Sequence, residues 1–294
     1  MSIFKGAGVA IVTPMKENLD VDFDKLEEII NFQIDGGTDA IIIAGTTGES
    51  ATLTMEEHRA VIKAAVDFVK GRVPVVAGTG SNSTRTAIRH AREAEEDGAD
   101  ALLIVSPYYN KATQKGLVRH YSMIADETRL PIILYNVPSR TGCNVMPETV
   151  AELVRTKENI VGLKEATGNM AQASKTMALC DGKLELYSGE DGLVVPLLSI
   201  GGIGVISVIS NIAPRQTHDM VMKFLDGDIE GARQMQLKSL RLVDALFSEV
   251  NPIPVKHAMK LLGKDVGPLR PPLCEMEPAH LDELRAAMQE FGLI

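Results

Sequence analysis

The sequence predicts a (β/α)8 barrel, a closed parallel sheet ringed by helices, followed by a small C-terminal helical appendage. Three observations predict it. A short apolar run followed by an amphipathic segment recurs eight times before residue 226. The apolar runs are continuous rather than alternating, as strands covered on both faces must be. After Asp226 only helical patterning remains. The barrel is therefore placed at residues 1–225 and the helical region at 226–294. With 294 residues, 45% of them hydrophobic, the chain can bury such a core; single barrels commonly run to about 250 residues. An open doubly wound sheet is the competing arrangement, but no GxGxxG fingerprint follows the first run.

Gly8-Val9-Ala10-Ile11-Val12-Thr13 reads as the first strand. The stretch from Met1 to Thr13 carries one lysine and too short an apolar run for a secretory leader. Asp22 to Gln33 reads as a helix, with Leu26, Ile29, Ile30 and Phe32 mostly on one side, acidic residues in its first turn and Gly36-Gly37 as its stop. Ala40 to Ala44 is the second strand. Thr54 can cap the next helix, with Glu57 at the capping-box position and Gly71 at its end. Val75 to Ala77 is the third strand, and a helix runs from Ser83 or Thr84 to near Gly98. Ala101–Val105 and Pro131–Tyr135 are the fourth and fifth strands, followed by helices over Gln114–Glu127 and Pro147–Thr156. Ile160–Lys164 and Leu184–Tyr187 are the sixth and seventh, followed by a helix over Met170–Leu179 and a short apolar one after Gly192. Gly204–Val208 is the eighth, with a helix from Pro214 to Leu225. The appendage holds helices over Ile229–Phe247, Ile253–Leu262 and Pro278–Phe291.

One segment, Gly192 to Pro214, carries no charge. A membrane span is the rival reading of it. Pro196, Gly201, Gly202 and Gly204 interrupt it, and Ser207 and Ser210 sit in its second half. A short buried helix and a buried strand fit better, so no membrane partner is expected. The net charge of −9 argues against a nucleic-acid partner. Cys143, Cys180 and Cys274 are odd in number, far apart and form no CxxC, which points to a reducing, cytoplasmic setting. His58, His90, His120, His218, His257 and His280 fall in expected helices without metal-ligand spacing, so no metal is inferred.

In such barrels the chemistry sits at the C-terminal ends of the strands. Lys164 closes the otherwise apolar strand Ile160-Val161-Gly162-Leu163. An ammonium there is costly unless paired or neutral. A neutral lysine can attack a ketone and form an iminium, an electron sink; its pKa of about 10.4 must then fall toward about 7–8. The plainer reading is a lysine paired with Glu49, Glu165 or Glu190. Tyr135 ends the neighbouring strand, where a phenol can shuttle a proton or simply pack. Thr46 and Thr47 lie between Gly45 and Gly48, a setting suited to holding a carboxylate or a phenol. A phosphate loop would need the Walker spacing and a following lysine. Arg140 can clamp a carboxylate in bidentate fashion or serve in a surface ion pair.

Taken together, GTTGES, SPYYN, YNVPSRTG, GLKEATG and NPIPVK resemble the dihydrodipicolinate synthase family of the N-acetylneuraminate lyase superfamily, over nearly the whole chain. The resemblance implies condensation of pyruvate with L-aspartate 4-semialdehyde, without a cofactor. It makes Lys164 the Schiff-base lysine and Tyr135 the proton shuttle, with Thr46 linking Tyr135 to Tyr109. It assigns Thr47 to the pyruvate carboxylate and Arg140 to that of the semialdehyde, and has Gly189 and Ile206 line the pocket through backbone carbonyls. Tyr109 would cross into a neighbouring subunit, in a dimer of dimers. Ser50, Ala51, His58, Asn82 and Tyr108 match the interface site of lysine-inhibited members. Thr86 stands where those members have a glutamate, and Met55 where many have a histidine, which implies weak or absent inhibition. Sugar-acid aldolases such as N-acetylneuraminate lyase share Lys164 and Tyr135, but Arg140 discriminates against them. A non-catalytic keto-acid sensor is the remaining alternative.

Overall fold

The computed structural model describes residues 2–294; Met1, the first residue of the expected barrel segment, lies outside them. Among the described residues eight parallel strands close in sequence order: β1 (Gly6–Ala10), β2 (Ala40–Ile43), β3 (Val75–Gly78), β4 (Ala101–Val105), β5 (Ile132–Asn136), β6 (Ile160–Glu165), β7 (Glu185–Ser188) and β8 (Gly204–Ser207). The helices around and beyond them are α1 (Phe23–Asp35), α2 (Met55–Val69), α3 (Thr84–Glu96), α4 (Gln114–Ala125), α5 (Pro138–Thr141), α6 (Pro147–Thr156), α7 (Met170–Cys180), α8 (Val194–Ser199), α9 (Pro214–Leu225), α10 (Ile229–Leu246), α11 (Ile253–Leu261) and α12 (Pro278–Phe291). The helix starts follow from side-chain chemistry. Thr54 and Glu57 form the expected capping box at α2, and Asp22, Ser83, Thr113 and Asn169 cap α1, α3, α4 and α7 with side-chain oxygens.

The ring closes where β8 meets β1, with Gly204 opposite Gly6. A Cβ on Gly204 would stand 2.4 Å from the Gly6 carbonyl oxygen, so only glycine permits that approach. One apolar layer fills the barrel itself, including Phe4, Ile42, Leu103, Ile133, Tyr187 and Ile206. A second, larger layer packs the outer faces of the strands against the helices. Phe4 stacks on Tyr187 with ring centroids 4.5 Å apart, and the Tyr187 hydroxyl donates to the Phe4 carbonyl. These rings help to fill the barrel, and a cavity opens beside Tyr135 and Lys164 at the C-terminal ends of β5 and β6.

Two departures from the sequence reading concern the loops. β1 begins at Gly6 and ends at Ala10; Ile11 N–H still donates to the Ile42 carbonyl of β2, and Val12 to Pro14 leave the ladder. Their polar groups find other partners: Val12 N–H donates to Asn211 Oδ1, the Thr13 hydroxyl to the Gly48 carbonyl, and Met15 N–H to the Val266 carbonyl. A buried loop with such partners is as apolar as a strand. The second departure is α5, a single turn inside the segment read as loop, started by Pro138 and ended by Gly142 at φ +68. The uncharged stretch folds as α8 and β8, and among the described residues no helix is long and apolar enough to cross a membrane.

The C-terminal helices return to the mouth of the barrel. Lys256 of α11 meets Glu49 at 2.8 Å, with both side chains almost wholly buried. Lys256 also donates to the carbonyls of Thr13 and Pro268. Arg270 donates its backbone N–H to Glu49 and its guanidinium to Glu57 and the Leu19 carbonyl. These contacts fix the loop after β2. Removing one partner of a buried pair strands the other charge. Lys256→Ala is expected to lose about 3–5 kcal/mol of unfolding free energy in urea. A loss below about 1 kcal/mol, the scale of an exposed pair, would show that this contact does not hold the loop.

Candidate active site

Tyr135 of β5, Lys164 of β6 and Tyr187 of β7 stand in register. Side chains in register share a face of the sheet, and Tyr135 and Tyr187 both belong to the interior layer, so Lys164 projects into the barrel. Asn136 and Glu165, one residue further on, face outward. There Asn136 Oδ1 accepts from Val145 N–H at 3.0 Å and Glu165 accepts from Thr167 N–H at 2.8 Å, which shapes the loops after β5 and β6. Glu49 is engaged with Lys256. Two of the three carboxylates expected to pair with Lys164 are thus committed elsewhere.

Lys164 is only 6% exposed, and its Nζ lies 4.3 Å from the centroid of the Tyr135 ring. Burial lowers its pKa to about 8; Asp191 and Glu190 act in the opposite sense, favouring the charge, and Arg140 assists the lowering. The Tyr135 phenol is pushed up to about 12 by burial, against the opposing pull of Arg140 and a hydrogen bond with Thr46. At neutral pH the phenol therefore keeps its proton and can pass it on. A cavity of about 300 Å³ opens above the pair, with Thr46, Thr47, Arg140 and Gly189 in its wall. Gly189 is needed for room: a Cβ there would come within 3.1 Å of Lys164 Cε and 2.7 Å of Ala166 Cβ. Asp191 is buried and holds the ends of β7 and β8 together by accepting from the N–H groups of Val208 and Ile209.

Arg140 sits in α5 and extends over the cavity, donating to the backbone carbonyl of Asn251 at 3.3 Å. Asn251 and Phe247, from the link between α10 and α11, complete the mouth. The motif NPIPVK contains Asn251, yet nothing in its local pattern places it over a barrel mouth; only the tertiary path of α10 does so.

Among the expected residues, the structure brings Lys164, Tyr135, Thr46, Thr47, Arg140 and Gly189 into one cavity wall. Ile206 belongs to the interior layer and is buried, and Val208, two residues on, reaches the wall instead. Tyr109 is 91% exposed, with φ +71, and lines no part of the cavity within one chain. A second cavity, of about 410 Å³, is lined by Ser50, Ala51, Met55, His58, Thr86 and Tyr108. Tyr135, Thr46 and Arg140 line it from the other side. Asn82 is not in its wall but donates to the Tyr108 carbonyl. His58 stacks on His90 with centroids 4.1 Å apart, a pairing that sequence spacing concealed. His90 Nε2 lies 3.2 Å from Met55 Sδ. Burial lowers both histidines, His90 to about 4, so neither carries charge at neutral pH.

The arrangement provides an amine whose proton is loosely held, a protonated phenol and hydrogen-bond donors for carboxylates, which is the equipment for capturing an α-keto acid as an iminium. Comparison with known proteins agrees with it. A family model described as the dihydrodipicolinate synthetase family matches residues 3–291. The 4-hydroxy-tetrahydrodipicolinate synthase of Lachnoclostridium phytofermentans is 60% identical over 294 residues, covering 100% of both chains. The crystal structure of the enzyme from Cyanidioschyzon merolae with lysine bound is 41% identical, with TM-score 0.97 and full coverage of both chains. The chloride-inhibited enzyme of Acinetobacter baumannii complexed with pyruvate is 42% identical, with TM-score 0.96 and 99% of each chain covered.

The lowered pKa fixes a pH dependence. Only the neutral amine attacks, so with the folded pKa at about 8 the rate of keto-acid capture rises about tenfold per pH unit below that value and levels off above it. Cyanoborohydride trapping followed by mass spectrometry measures this. A rate still climbing steeply at pH 10 would mean that Lys164 titrates as a solvated lysine.

Proposed function

The chain belongs to the dihydrodipicolinate synthetase family, and on that premise we propose that Lys164 is the amine on which its reaction runs. It is an enzyme of the lyase class that condenses pyruvate with L-aspartate 4-semialdehyde to 4-hydroxy-tetrahydrodipicolinate, on the route to diaminopimelate and lysine. The observation that supports the assignment to Lys164 is a desolvated amine, with pKa about 8, against the Tyr135 ring.

The lysine attacks the keto carbon of pyruvate, while the Thr47 hydroxyl holds the pyruvate carboxylate. The carbinolamine then loses water; Tyr135, steadied by Thr46, gives a proton to the departing hydroxyl. The resulting iminium draws electrons from the methyl group, so a methyl proton leaves and a nucleophilic enamine forms. Its carbon adds to the aldehyde of the second substrate, whose carboxylate Arg140 holds over the mouth. The amino group of that substrate closes the ring and frees Lys164. Holding two reactants in line can supply a large share of the rate. Gly189 leaves room for the lysine stem.

The chain works in the cytoplasm as a dimer of dimers in this reading. Its cysteines are unpaired, two of them buried, as a reducing compartment allows. Tyr109 supports the assembly. A bulky side chain at φ +71, almost fully in solvent, is strained without reward in a lone chain. In the dimer its hydroxyl joins the Thr46–Tyr135 relay of the partner. The second cavity is a degraded effector site walled by Ser50, Ala51, His58, Thr86 and Tyr108, with Asn82 bonded to the Tyr108 carbonyl. No carboxylate lines it, so nothing there anchors the ammonium of lysine.

Borohydride reduction in the presence of pyruvate is expected to add mass at Lys164, with turnover on adding semialdehyde. Arg140→Ala should keep the adduct and lose about a hundredfold or more in kcat/KM for the semialdehyde, the scale of a charged bidentate contact. An adduct without turnover in the wild type would overturn the synthase reading, and unchanged kinetics would remove Arg140 from its role. Activity should also persist in millimolar lysine; strong inhibition at submillimolar lysine would refute the degraded site.

A further inference from the structure

Asn251 reaches the barrel mouth from the α10–α11 link, apart from every loop that follows a strand. It is 5% exposed, and its Nδ2 donates to Thr47 Oγ1 at 2.9 Å. A threonine hydroxyl has one hydrogen and two lone pairs. A donor seated on one lone pair leaves the hydrogen free to point elsewhere, and Thr47 faces the cavity above Lys164. We infer that Asn251 is a positioning residue: it fixes the Thr47 hydroxyl as a hydrogen-bond donor toward the carboxylate of the captured keto acid. This rests on the roles proposed for Thr47 and Lys164.

Two further features support the inference. Asn251 Oδ1 is buried with no hydrogen-bond partner among the described residues. An unpaired buried acceptor is destabilising, so stability alone would favour an apolar residue here. The amide is retained where its N–H group does the useful work. The same residue also receives Arg140, but through its backbone carbonyl, which survives side-chain substitution. The two anchors are therefore separable by mutation. The amide nitrogen acts on the keto-acid carboxylate through Thr47, and the carbonyl acts on the second substrate through Arg140.

Asn251→Asp reverses the polarity of the contact. A carboxylate accepts the Thr47 hydrogen, turns it away from the cavity and adds a repelling charge. Asn251→Ala merely frees the hydroxyl. Steady-state kinetics should show the KM for pyruvate raised about tenfold in Asn251→Ala and about a hundredfold in Asn251→Asp. The KM for the semialdehyde and kcat of Asn251→Ala should stay within about threefold of wild type, a split that general loosening of the fold would not produce. In a Thr47→Val background Asn251→Ala should have no further effect on pyruvate KM, because both act through one hydroxyl. If Asn251→Asp does not fold by circular dichroism, the alanine variant and the double mutant still decide. An unchanged pyruvate KM in Asn251→Ala, or effects of the two substitutions that multiply, overturns the inference while leaving the Lys164 assignment intact. Failure of the wild type to trap pyruvate removes both.

Discussion

An ammonium carried into an apolar barrel loses so much hydration that its proton is held far less tightly than in water. That constraint governs the site. The drop in Lys164 from the ordinary 10.5 to about 8 corresponds to about 3 kcal/mol in favour of the neutral amine. Full desolvation would push further, but Asp191 and Glu190 oppose it. The balance suits a nucleophile that becomes a cation. The free amine must be populated near neutral pH, and the iminium that follows carries a permanent positive charge. Asp191, which already favours the charged amine, would favour the iminium in the same way.

The sheet makes this possible through alternation. Along β5 and β6 the inward residues line the cavity and the outward ones hold the loops. Tyr135 and Lys164 point in, whereas Asn136 and Glu165 point out and fasten the following turns. A one-residue slip would place Glu165 inside and the lysine among the helices. Gly162 lies two residues before Lys164 on the same face, where a Cβ would come within 3.2 Å of Ile133 and 3.5 Å of the Tyr187 ring. The seating of Ile133 and of the Tyr187 ring below the lysine thus depends on the absence of a side chain at Gly162.

Much of this was legible in the sequence because it follows from short-range rules. Eight apolar runs gave eight strands, and Thr54 with Glu57 or Pro214 marked helix starts that the structure shares. Lys164 stood out as a charge closing an apolar strand. What escaped had no local signature. Val12 and Pro14 are apolar because they are buried, not because they pair in a ladder. The His58–His90 stack joins two helices whose separate patterns are ordinary. Asn251 reads as a loop residue before a proline, and only the return of α10 across the barrel sets it on Thr47. Tyr109 could be placed only by resemblance, since one chain leaves it in solvent.

The loop after β2 joins these separate parts. Its threonines line the cavity above Tyr135 and Lys164, and its Glu49 is buried against Lys256. Residues 50 and 51 open onto the second cavity. Any force on the loop is therefore felt at Thr46 and Thr47. Tyr135, Thr46 and Arg140 form a wall common to both cavities, so an occupant of the second would press on the reacting groups directly. A bound molecule shifts an equilibrium only by the difference in its affinity for two states, and it needs contacts to do so. Here the second cavity offers two neutral stacked histidines, a thioether and a threonine. Among the described lining residues the one charged side chain is Arg140, a cation shared with the first cavity, so this wall suits an anion rather than an ammonium.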